Sequence, residues 1–271
     1  MPTMRISPDL EMFYRLDEFT DPWTKPETIL FIHGVADNSG VWFGWVPHLG
    51  RHFRLLRPDM RGFAQSTPMP ADHAWSLDRL RDDFIALLDN LGIERVHLVG
   101  AKLGGMTSLH IAATRPERVI SAVVMSTPVS SKQIPTANNP TFQAAFRDQG
   151  VEPWVWMNHH KRLGSEAPDE MKQWWARSMV ASGHHSSLVG VLRAEGSLEI
   201  EHELKLVRCP VLAIATEGST LGSREHIDAW RQHIAHLEFE VLPGNAYHVA
   251  ATHSDKAAQV ARAFLLRHSA R

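Results

Sequence analysis

Lys102 stands in Gly100-Ala101-Lys102-Leu103-Gly104, directly after the apolar run Val96–Gly100 and ahead of a helical stretch. Glycine two residues to either side leaves room for a sharp strand-to-helix turn that projects the central side chain. A lysine displayed in this way has three chemical uses. Its neutral amine forms a Schiff base with a ketone or aldehyde. It can act as general acid or base. As an ammonium it can hold a substrate carboxylate or a developing oxyanion. It is a poor substitute for serine in an ester-cleaving cycle, because an acylated amine is an amide and resists hydrolysis. Both the positive end of a helix and burial favour the neutral amine at such a turn. The plain alternative is a lysine reaching into solvent from a site that does no chemistry.

A second candidate, His248, closes Pro243-Gly244-Asn245-Ala246-Tyr247-His248, a loop that precedes the last helical stretch, Lys256–Leu266. Other histidines come as adjacent pairs, His159-His160 and His184-His185, which point in different directions on a helix and lack the i, i+4 spacing of a metal clamp. The single cysteine, Cys209, excludes an internal disulfide and a cysteine-based zinc site. No metal is expected. No glycine-rich stretch fits a dinucleotide or phosphate-binding loop, so no cofactor is expected either.

These residues must be positioned by strands. Runs rich in Val, Ile and Leu predict strands at Thr28–His33, Phe53–Pro58, Val96–Gly100, Ile120–Met125, Val211–Ala215 and Glu238–Leu242. Helical patterns alternate with them, as in Leu77–Leu91, where Leu80, Phe84, Leu87, Leu88 and Leu91 recur at helical spacing. That alternation predicts an α/β fold, a doubly wound and mostly parallel sheet with helices on both faces. It is interrupted once. From Ser130 to Leu206 only helical patterns appear, at Gln143–Gln149, Trp154–Lys161, Pro168–Ser182 and Ser187–Glu195. The predicted organisation is a core of residues 1–129 and 207–271 with a helical cap, 130–206, inserted between two strands. The sheet pattern resumes at once after Cys209, which argues against a second independent domain.

Five segments in register carry a resemblance. Leu98-Val99-Gly100-Ala101-Lys102-Leu103-Gly104-Gly105 resembles the nucleophile elbow of the α/β-hydrolase superfamily. Phe31-Ile32-His33-Gly34 resembles the strand end before its oxyanion loop, and Asp59-Met60-Arg61-Gly62-Phe63-Ala64-Gln65-Ser66 its D-x-R-G-x-G-x-S turn. Arg208-Cys209-Pro210 resembles the return from the cap, and Pro243–His248 the loop of the catalytic histidine. The resemblance runs from about residue 10 to 267 and is closest to small capped esterases, enol-lactonases and carbon–carbon bond hydrolases.

It implies that Lys102 occupies the place of the nucleophilic serine. His248 becomes the catalytic histidine, and the backbone N–H groups of Val35 and Leu103 become the oxyanion donors. The acid belongs in Thr216-Glu217-Gly218-Ser219, where Ser219 stands at the usual aspartate position and Glu217 is the nearest carboxylate. Either could orient His248. Gly218-Ser219-Thr220-Leu221-Gly222 also fits a G-x-[ST]-x-G string, but it lacks the strand-glycine-helix setting. His33, Trp42 and Trp154 are the candidates for the substrate pocket, although tryptophan between cap and core is as commonly plain packing.

The 28 Lys+Arg against 30 Asp+Glu give a net charge of −2, with no electrostatic footprint for nucleic acid or an anionic membrane. The N-terminus has no apolar leader, and no apolar run approaches a membrane span. A cytoplasmic enzyme is therefore expected, monomeric or homodimeric, acting on a small carbonyl-containing molecule such as an ester, lactone or β-dicarbonyl. It would break a C–O or C–C bond without an acyl-serine. The other reading is a non-catalytic binding protein with a capped pocket, which would have no chemical use for His248. An ordinary esterase altered at residue 102 alone would have kept its acid at 219.

Overall fold

Six runs of Val, Ile and Leu become the parallel strands of one sheet, and a hairpin the apolar pattern did not announce extends its edge. In the computed structural model, which describes residues 2–134 and 140–270, the strands are β1 Thr3–Ser7, β2 Leu10–Asp17, β3 Thr28–Ile32, β4 Arg54–Pro58, β5 Val96–Ala101, β6 Val119–Met125, β7 Val211–Thr216 and β8 Leu237–Leu242. Their order is β1-β2-β4-β3-β5-β6-β7-β8. The pairs β1·β2 and β2·β4 are antiparallel and the rest parallel. The central strands β3, β5 and β7 are buried at every residue, as a sheet covered on both faces requires.

The helices are α1 Val46–Leu49, α2 Leu77–Asn90, α3 Leu103–Thr114, α4 Pro140–Gln149, α5 Val151–Met157, α6 His159–Leu163, α7 Asp169–Ser182, α8 His185–Glu195, α9 Arg224–Trp230, α10 Val249–Thr252 and α11 Ser254–His268. Side chains alternating along each strand feed two separate cores. Leu30, Ile32, Leu98 and Val124 pack with α2 and α3 on one face. Ile29, Phe31, Val99 and Val123 pack with Ala257, Ala261 and Phe264 of α11 on the other. The fold class is therefore as the sequence predicts.

Between β6 and β7 lie α4 to α8, and no strand forms among the described residues there. One isolated bridge, Phe63 with Gly183, ties this segment to the turn after β4, and another, Ser130 with Glu199, joins its two flanks. The single helix expected over Trp154–Lys161 is two: α5 ends and α6 begins at Asn158, whose φ of −116° and ψ of 7° break the helical run. No helix among the described residues is long and apolar enough to cross a membrane.

Candidate functional site

Strand β5 runs straight into α3 through Lys102, which takes φ 57° and ψ −120°. A positive φ is costly for a residue with a Cβ and is held only where the surroundings over-determine it. Here they do. Lys102 N–H donates to the Met125 carbonyl of β6 at 3.0 Å, and its carbonyl accepts from Met106 N–H at 3.0 Å. Gly104 lets the start of α3 press against the end of β3, where a Cβ would stand 2.0 Å from the Ile32 carbonyl oxygen.

The Lys102 side chain lies over the loop that follows β3. A Cβ on Gly34 would sit 2.5 Å from Lys102 Cε, so the bare glycine is what admits the lysine. Three residues on, Lys102 Nζ donates to Asp37 Oδ2 at 2.6 Å. The loop is braced from beneath by His33, whose Nδ1–H donates to the Gly34 carbonyl at 2.7 Å while Nε2 accepts from Met60 N–H at 2.9 Å. Asp37 N–H closes a turn onto the Gly34 carbonyl. Asp59 ties the next segment down, accepting from Ser39 N–H and Gln65 N–H, and Arg61 forms a two-pronged pair with Asp83. The D-x-R-G turn is thus scaffolding for this loop.

His248 completes the cluster. Its Nδ1 lies 3.4 Å from Lys102 Nζ and its Nε2 3.7 Å from Asp37 Oδ2. Accepting at Nδ1 leaves the hydrogen on Nε2, facing the carboxylate. The ring packs at 4.6 Å against Trp175 of α7, and its backbone N–H donates to the Arg162 carbonyl of α6. Burial and then the Lys102 charge push His248 down to about 3. Burial pushes the Asp37 carboxyl up, but the charges of Lys102 and His248 outweigh it and hold it at about 2. At neutral pH the cluster therefore comprises a carboxylate, a neutral imidazole and a lysine in an ion pair. The carboxylate beside Nζ opposes the two effects that favour a neutral amine.

A cavity of about 390 Å³ opens beside this cluster. Its wall includes Lys102, Val35, Leu103 and Trp154, together with Met106, Leu198 and Leu221. His248 and Asp37 are each 1% exposed and lie behind Lys102, outside that wall.

Four expected placements differ. Glu217 is exposed at the end of β7, where its backbone N–H donates to the Leu242 carbonyl, and no bond among the described residues joins it to His248. Ser219 is buried but serves its own loop, its Oγ donating to the Leu221 carbonyl at 2.6 Å. The carboxylate beside His248 is Asp37, which comes from the other side of the lysine. Trp42 is fully buried in the α11 core, 5.0 Å from Phe31 and 5.6 Å from Trp45, and does not line the cavity. His33 likewise supports the loop from the interior. Asp37 carried a usable signal: a buried lysine at this turn needs a counter-charge, and the loop after the neighbouring strand β3 holds one.

A family model of the alpha/beta hydrolase fold matches residues 27–252, and the chain belongs to that family. It is similar to a pimeloyl-[acyl-carrier protein] methyl ester esterase of Aeromonas hydrophila, 28% identical over 62% of this chain and 59% of that protein. A fluoroacetate dehalogenase of a Burkholderia species is 25% identical over 88% of this chain and 86% of its own. Among solved structures, the enol-lactonase of Burkholderia xenovorans superposes with a TM-score of 0.86 at 19% identity, covering 98% of this chain and all of that one.

Proposed function

We propose that this chain is an enzyme acting on a small carbonyl compound, an ester, lactone or β-dicarbonyl. It breaks a C–O or C–C bond without an acyl-serine, with Lys102 in the place where relatives carry their nucleophile. Residues 130–206 act as the cap over the cavity. One observation carries the reading: Lys102 Nζ, 2.6 Å from the Asp37 carboxylate, lies in the wall of a cavity that Val35 and Leu103 also line. A charged Nζ and the two backbone N–H groups are suited to a substrate carbonyl oxygen as it gains negative charge. Water adds to the carbonyl carbon and loses a proton to solvent; as the C–O or C–C bond breaks, the departing alkoxide or enolate takes a proton from Nζ, which solvent then reprotonates. His248 and Asp37 hold the amine in place and in its charged form. The same ion pair disfavours a Schiff base, which requires the free amine.

The receptor reading draws on a different observation, the exclusion of His248 and Asp37 from the cavity wall. The two part on Lys102→Met and Lys102→Ala. In the enzyme each abolishes turnover of an ester, lactone or β-dicarbonyl substrate while binding of that compound persists. Borohydride with keto compounds is expected to leave Lys102 unmodified. A wild-type protein that binds such compounds and converts none of them supports the receptor reading instead.

A further inference from the structure

Three arginines are buried in the described structure, and they are not alike. Arg57 pairs with Asp17 at 2.7 Å, and Arg61 with Asp83 at 2.6 Å. Arg162, on α6, is 3% exposed and meets no carboxylate among the described residues. Its Nη1 donates to the Val155 carbonyl at 3.1 Å and lies 3.4 Å from His159 Nδ1. Its guanidinium stands 5.4 Å over the Trp154 ring. A buried cation without a counter-charge is expensive, and a neutral carbonyl with an aromatic face offsets only part of that.

Arg162 lines the same cavity as Lys102. Among the described residues of that wall there is no aspartate or glutamate, whereas Lys102, Lys161 and Arg162 are all cationic. Asp37 balances Lys102 from behind, and among the described residues no carboxylate does the same for Arg162. The rest of the wall combines apolar side chains, among them Met106, Ile134, Leu192 and Leu198, with the polar Asn158, His160, Thr220 and Tyr247. A neutral substrate would leave the arginine uncompensated. An anionic one would complete it with a planar, two-pronged contact of the kind guanidinium makes to carboxylate.

We infer that the compound taken by this cavity is a carboxylic acid as well as a carbonyl compound: an oxo-acid, or an ester or lactone bearing a free carboxylate. The carboxylate docks on Arg162 and the short apolar chain lies along the wall. The placement of its second carbonyl at Lys102 rests on the function proposed above; the carboxylate contact with Arg162 does not.

Calorimetric titration of the full chain with 5-oxohexanoate and with its methyl ester separates these claims. The wild type is expected to bind the acid at least about tenfold more tightly than the ester, the scale of a hydrogen-bonded charge contact. Arg162→Gln removes that preference and leaves ester affinity within about twofold. Arg162→Lys, which keeps the charge if the glutamine variant fails to fold, retains a reduced preference. Lys102→Met keeps it. Equal affinity for acid and ester in the wild type overturns the inference, as does absence of binding by either. A preference that survives Arg162→Gln, or that vanishes in Lys102→Met alone, places the anion elsewhere and also overturns it. If the preference behaves as expected but Lys102→Met turns over substrate normally, the catalytic proposal falls and the Arg162 contact stands.

Discussion

Strand β5 carries a polar histidine cluster at each end, and the cavity of about 390 Å³ is lined by a residue of the second and by none of the first. Near its start, Ser121 Oγ lies 2.8 Å from His97 Nδ1 and Glu27 Oε2 lies 3.0 Å from His97 Nε2, a serine, histidine and carboxylate in one chain of hydrogen bonds. Just past its end, Lys102, His248 and Asp37 are less tightly connected through the imidazole, at 3.4 and 3.7 Å. On distances alone the first cluster looks more like a catalytic triad. Yet His97 and Ser121 are fully buried, with Phe53 packed on the imidazole at 5.4 Å, and neither is part of the wall of the cavity beside Lys102. The second cluster sits at the carboxyl ends of the parallel strands, where chain reversals leave a crevice. Access and a strained turn, rather than a row of hydrogen bonds, distinguish a reaction site from a structural polar network.

The comparison can be strained first by acid, which should cost several kcal/mol at the cavity end. Unfolded, the His248 ring takes up its proton near 6.5, but folded only near 3. The unfolded chain therefore binds more protons across that window, and stability falls as pH drops from about 6.5 toward 3. Asp37 adds a further loss as pH falls from its ordinary 3.8 through about 2. Denaturant titrations at stepped pH should show the decline, and His248→Phe should flatten its upper part. A wild-type stability constant from pH 6.5 to 4 would contradict the buried neutral imidazole.

Asp37→Asn comes next, with an expected loss of about 3 kcal/mol at neutral pH, since it removes one partner of a buried ion pair and strands the other. Equilibrium unfolding in urea reads it. A loss under about 1 kcal/mol would mean the pair contributes little. Gly34→Ala should keep the fold yet displace Lys102, because the new Cβ would meet Cε; a shift of about 1 Å is worth roughly 10²-fold in kcat/KM. Unchanged kcat/KM would show that the position of Nζ is immaterial. His97→Phe should cost about 2 kcal/mol of stability, leaving Glu27 and Ser121 without their shared partner, and should leave turnover within about twofold. A large loss of turnover there would erase the distinction between the two ends of the strand.

Much of this arrangement was legible in the chain, for reasons that differ by residue. Strands β3 to β7, largely buried on both faces, read as continuous apolar runs whose ends agree with the structure within a residue, and the more exposed edge strand β8 agrees equally well. Strand β2, second from the sheet edge and paired with β1 and β4, gives no such run, because Leu10–Asp17 mixes buried with exposed positions. The strand–turn–helix around Lys102 shows itself through Gly100 and Gly104, whose lack of Cβ the packing requires. The carboxylate partner does not, because family position points to the loop after β7 while the charge on Lys102 is met by Asp37 from the loop after β3. Trp42 illustrates the converse limit: nothing in a tryptophan's identity says whether it faces a cavity or, as here, Phe31 and Trp45 in the core.

The most direct test sets Lys102→Met beside His97→Phe on one ester, lactone or β-dicarbonyl substrate converted by the wild type, with binding measured in parallel. The account predicts that Lys102→Met loses about 10³-fold in kcat/KM, some 4 kcal/mol of transition-state stabilisation, with ligand binding largely intact, while His97→Phe loses almost nothing. Full turnover by Lys102→Met on that substrate would contradict it and leave Lys102 a structural residue on a strained turn.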